Sequence, residues 1–86
     1  MKTFNDLTFT TLSDGFGIAA RMKFDNGYGV SVVKGPYTYG GPNGLYELAV
    51  LNSEGEISYN TDITDDVIGH LNESEVTEIL NRIQNL

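Results

Sequence analysis

One alternating stretch and the turn after it constrain this chain more than anything else in it. Residues 16–24, FGIAARMKF, put Phe16, Ile18, Ala20, Met22 and Phe24 on one parity and Ala19, Arg21 and Lys23 on the other. Period two over this length is the pattern of a half-buried strand. Asp25-Asn26-Gly27 follows, and then YGVSVVK, in which Tyr28, Val30 and Val32 share a parity. A two-residue Asn-Gly turn would set Phe24 opposite Gly29 and send the valines to the solvent side. A three-residue loop with a left-handed Gly27 pairs Phe24 with Tyr28, Met22 with Val30 and Ala20 with Val32, which gathers every large apolar residue on one face. The spacing therefore predicts the longer loop.

The neighbouring segments extend this sheet. LTFTTL, residues 7–12, reads as a first strand with Leu7 and Phe9 inward, closed by Ser13-Asp14-Gly15. LYELAVL, residues 45–51, is apolar on nearly both faces, as in a strand that is central or covered on both sides. Asn52-Ser53-Glu54-Gly55 is a turn cluster, and EISYN at 56–60 alternates again to complete a second hairpin. The period then changes. Thr64 with Asp65 and Asp66 has the form of an N-cap followed by acids in a first turn, with Gly69 as the stop, so 64–69 is expected to be a short helical turn. Asn72 and Glu75 have capping-box spacing, and Val76, Ile79, Leu80 and Ile83 fall at i, i+3, i+4 and i+7, which predicts a helix over 72–85. The fold class expected is α+β in a single domain, 1–86: an antiparallel meander-like sheet of about five strands within residues 4–60, with one C-terminal helix packed on one face. The expected core is Phe16, Ile18, Met22, Phe24, Val30, Val32, Leu48, Val50, Ile57, Val76, Ile79, Leu80 and Ile83.

Charge divides the chain. Residues 1–46 carry Lys2, Arg21, Lys23 and Lys34 against three aspartates, a net of +1, and residues 47–86 carry nine acids against Arg82, a net of −8. A net charge of −7 repels nucleic-acid phosphates and attracts basic partners, so direct nucleic-acid binding is not expected. The absence of cysteine removes disulfides, thiolate metal sites and thiol nucleophiles together. No apolar run approaches a membrane span, and MKTFNDLTFT lacks the apolar stretch of a signal peptide. A soluble, cytosolic, unprocessed chain is expected.

The segment Gly35-Pro36-Tyr37-Thr38-Tyr39-Gly40-Gly41-Pro42-Asn43-Gly44 holds four of the ten glycines and both prolines. It lacks the Gly-Lys-Ser/Thr ending of a P-loop and leads into a strand, which excludes that motif and the dinucleotide fingerprint. What remains is a long connection bearing Tyr37 and Tyr39. Two readings stay open: exposed contact residues on a partner surface, or rings folded back to plug the sheet end. Asp62, Asp65 and Asp66 do not match a calcium loop and are better explained by capping. His70, the only histidine, has no cysteine and no second histidine to pair with and reads as a surface or junction residue. No nucleophile setting appears. No catalytic residue, metal site or cofactor is expected, and the chain is not expected to be an enzyme.

Asn26-Gly27-Tyr28-Gly29-Val30, the Gly-Pro-Tyr-Thr-Tyr-Gly-Gly loop, Leu45-Tyr46-Glu47-Leu48-Ala49-Val50 and Ile63-Thr64-Asp65-Asp66-Val67 together resemble small uncharacterised proteins encoded by tailed bacteriophages, over residues 24–80. The resemblance implies a phage origin and a location in the host bacterial cytoplasm, and it brings no activity with it. The first expectation is a small acidic binder, a host-directed inhibitor or adaptor, anti-defence action included, that recognises a host protein or complex. Its contact residues would be Tyr37, Thr38, Tyr39, Gly40, Gly41 and Asn43 of the loop with Asp65, Asp66 and Glu73. The alternatives are a structural or assembly accessory of the particle, self-associating through the second apolar face of 45–51, and a small-nucleotide sponge closing the glycine-rich loop over a base.

Overall fold

The computed structural model describes residues 1–13, 15–64 and 66–86. Five strands follow one another in the sheet in chain order: β1 (Thr10–Thr11), β2 (Ile18–Lys23), β3 (Gly29–Lys34), β4 (Tyr46–Leu51) and β5 (Val67–Leu71). Every neighbouring pair is antiparallel. With the single helix α1 (Glu73–Gln84) at the C-terminus, the fold is α+β, an antiparallel meander with one helix on one face. The β2–β3 register is the one that the alternation demands. Met22 faces Val30 and Ala20 faces Val32, the Phe24 amide donates to the Tyr28 carbonyl at 2.8 Å, and Gly27 sits at φ +92°, where a side chain would be strained.

Helix α1 begins where the capping box puts it. Asn72 Oδ1 accepts from the Glu75 amide at 2.8 Å, and Glu75 Oε1 accepts from the Asn72 amide at 3.0 Å. Its stripe of Val76, Ile79, Leu80 and Ile83 is buried against β3, β4 and β5 beside Val30, Val32, Leu48, Val50 and Leu71. The far end of the helix is tied to the β2–β3 turn, since Asn26 Nδ2 donates to the Ile83 carbonyl at 2.8 Å. A helix about 10 Å across covers only about half of a sheet whose strands lie about 4.8 Å apart. Residues 2–9 cover more of it. The Phe4 amide donates to Thr77 Oγ1, the Gln84 side-chain amide bonds the Lys2 backbone in both directions, and the rings of Phe4, Phe9 and Tyr46 meet at centroid distances of 5.1–5.7 Å. Leu7 and Phe9 thus turn inward as expected, but from an irregular segment, and the first strand is confined to Thr10–Thr11.

Three expectations are corrected. Where a helical turn over 64–69 and a sheet ending by residue 60 are expected, Val67–Leu71 is instead the fifth strand, with Ile68 opposite Leu48 and Val67 opposite Ala49. The side chain of Thr64 still accepts from the Asp66 amide at 3.1 Å, a capping-type bond with no helix behind it. The β-branched pair Val67-Ile68 fills the open edge of β4 instead. The hairpin at 56–60 is correspondingly cut short: Ile57 bridges Leu51, the Ser58 amide reaches the Val50 carbonyl at 2.8 Å, and β5 then takes over the edge. Ile57 is left at the sheet margin, 38% exposed. Phe16 is 69% exposed because β2 starts only at Ile18, after a bend, and the parity does not extend back through it. Ile18 and Met22 are half-buried. Within the stripe, Ile83→Ala should cost about 2–5 kcal/mol, because the residue is fully buried between helix and sheet. Urea denaturation checks this, and an unchanged midpoint would contradict the packing.

Candidate partner-binding loop

The eleven residues between β3 and β4, 35–45, are held by bonds among themselves. Thr38 Oγ1 accepts from the Gly35 amide and donates to the Gly35 carbonyl, both at 3.0 Å, and the Thr38 amide returns to the same carbonyl at 3.2 Å. The Gly41 amide donates to Thr38, and a short 3-10 turn at Gly41–Asn43 follows, with left-handed Gly40 and Gly44 at its two ends. A Cβ on Gly41 would overlap the Gly35 carbonyl oxygen, so only glycine fits there. The amides of Gly35, Thr38, Tyr39, Gly41, Asn43 and Gly44 all donate within the chain. They are spent as phosphate donors, and the nucleotide-sponge reading gains no support from this loop.

The loop then folds onto β5. The Tyr39 carbonyl accepts from the His70 amide at 3.0 Å, and the Tyr39 amide donates to Glu47 Oε1 at 3.0 Å. A Cβ on Gly40 would stand 2.7 Å from His70 Cα, and one on Gly69 would collide with the Tyr39 Cβ. Both contacts exist because glycine occupies one side of each. Against Glu47, β5 carries an extra residue: Ile68 pairs with Leu48 and Leu71 with Tyr46, leaving Gly69 and His70 in a bulge where His70 adopts φ +58°. A non-glycine residue in that region is strained and persists only where its surroundings fix it.

Tyr37 is 87% exposed and Tyr39 63% exposed, so neither ring plugs the sheet end. Thr38 and Gly41 are half-buried, Gly40 is buried and Asn43 is exposed. Of the acids grouped with the loop, Glu73 is exposed in the first turn of α1, three residues beyond His70. Asp66 precedes the opposite end of β5, about 13 Å from His70 at about 3.3 Å per strand residue. It does not join the loop. Asp65 lies outside the described residues. Glu47, Gly69 and His70 are brought to the loop by the fold and are invisible as partners in sequence, although a glycine inside the strand Val67-Ile68-Gly69-His70-Leu71 is a signal of close backbone approach. Among the described residues no cluster of three His, Asp or Glu side chains could hold a metal ion, and no helix is long and apolar enough to cross a membrane. No family model, curated protein or solved structure matches the chain.

The docking has a direct test. Gly69→Ala should cost about 1–3 kcal/mol by forcing the Tyr39 backbone off β5. His70→Gly should be neutral or stabilising, whereas His70→Val should destabilise by more than about 1 kcal/mol, because a β-branched residue tolerates positive φ worst. Thermal melts of the three variants check the bulge: a destabilising glycine at 70 would contradict it.

Proposed function

We propose that this is a phage-encoded protein that works by binding: a host-directed inhibitor or adaptor that presents the 35–44 loop to a host macromolecule in the bacterial cytoplasm. The observation that carries this reading is the pairing of exposure with order. Two tyrosine rings stand in solvent on a loop whose backbone is bonded at both its turns and its edge. Tyrosine brings large contact area with few rotatable bonds, and a loop ordered beforehand loses little entropy when it binds. Net negative charge favours a basic partner surface and disfavours nucleic acid. The reading as an assembly accessory draws less support, because the second apolar face of β4 is already closed: Ala49 and Leu51 are buried within the chain.

Tyr37→Ala/Tyr39→Ala is the informative variant. The alanine Cβ at 39 keeps the contact with Gly69, and both backbone bonds of residue 39 survive, so the melting temperature should stay within about 2 °C. Capture of the host partner from lysate should weaken by about 2 kcal/mol or more, as expected for tyrosines that dominate an interface. Full retention of the partner by this double variant would refute the loop as the contact surface, and abundant protein in purified virions would favour the assembly reading.

A further inference from the structure

The carboxylate of Glu47 occupies an unusual position. It is half-buried on the sheet face opposite the helix, pairing across from Val33 on one side and lying under the Tyr39 backbone on the other. One of its oxygens, Oε1, accepts the Tyr39 amide, and no ion pair reaches it from any described residue. The cations of the sheet are turned elsewhere. Lys34 Nζ lies over the Tyr46 ring, 4.8 Å from its centroid, on the helix side, while Arg21 and Lys23 reach the carbonyls of Gly55 and Ser53 at the far end of the sheet. A half-buried carboxylate is therefore bonded to the backbone of Tyr39, whose ring is exposed, with a second exposed tyrosine two residues away, in a protein of net charge −7.

We propose that the corner formed by Glu47, Tyr39 and Tyr37 receives an arginine side chain of the protein partner. A guanidinium is planar, stacks on an aromatic face and donates from its edge to a carboxylate, and it sheds water more readily than an ammonium. Tyr39 supplies the face and Glu47 the acceptor, and the bond from the Tyr39 amide keeps the Tyr39 backbone next to that acceptor. The inference rests on the binding reading above and names the chemistry of its partner.

The probe is a peptide, acetyl-Gly-Arg-Gly-Arg-Gly-amide, titrated into the labelled protein and followed by backbone amide shifts, with the citrulline peptide as its neutral isostere and spermidine as a cation without a guanidinium. Glu47→Gln removes the charge and keeps an acceptor for the Tyr39 amide, and its melting curve verifies that the loop stays docked. The expected result is shifts concentrated at 37–41, 47 and 69–70 with the arginine peptide alone, and affinity at least tenfold weaker in Glu47→Gln but within twofold in Glu78→Gln on the helix. Equal losses in the two variants, equal binding of spermidine, or no shifts at this corner would overturn the proposal and reduce the interaction to the general acidic field. If the host partner is released by Tyr37→Ala/Tyr39→Ala but held undiminished by Glu47→Gln, the arginine inference fails while the binding reading stands.

Discussion

Strand β4 is buried on both faces and paired on both edges, and most of what is distinctive in the fold follows from that. Leu48 and Val50 face the helix with no exposed surface, while Ala49 and Leu51 are nearly as buried on the other side. An apolar strand of this kind is stable only if β3 and a further segment both supply hydrogen bonds, because an open apolar edge invites pairing with another chain. The chain after Leu51 meets this need in two steps, first with the Ile57 bridge and then with β5. Recruiting β5 brings Gly69 and His70 alongside the β3–β4 connection, and the loop docks there. The tyrosine corner is thus a consequence of completing the edge of β4.

What could be read from the residues alone divides along the range of the interactions involved. The Phe24–Tyr28 register and the Asn72–Glu75 capping box are decided by residues three or four apart, and both are as the pattern dictates. Strand β5 is decided by an edge some twenty residues earlier. Thr64, Asp65, Asp66 and Gly69 carry local signals for a helical turn, and these lose to the pairing of Val67 and Ile68 with β4. Phe16 fails for the opposite reason: its parity is right, but the strand that would give parity meaning has not yet begun. In the loop, composition alone pointed to Tyr37 and Tyr39, since glycine and proline build no core. The choice between exposed and plugging rings depended on where β5 lay, as did the presence of Glu47 and His70.

The strain at His70 and the glycines around it bear on function through order. Gly40, Gly41 and Gly69 each accept a backbone or side chain where a Cβ would collide, and each loses more conformational entropy on folding than another residue would. These costs are met during folding, so on the proposed reading a partner would meet a loop already in its final shape. The exposed aromatic surface would be a liability on a flexible segment; on the proposed reading, the ordered loop makes it a defined contact.

Charge and contact then act at different ranges. The field of the acidic C-terminal half reaches outward and draws basic surfaces toward the protein, but at physiological ionic strength it decays over about 8 Å, so it governs encounter more than retention. Retention falls to groups that are dry in the complex. In the proposed complex the aromatic rings of the loop and the half-buried Glu47 carboxylate would meet that condition better than the exposed helix acids, which are screened as salt rises. On the proposed reading, a protein built this way attracts many basic surfaces weakly and holds the few that fit the loop and Glu47.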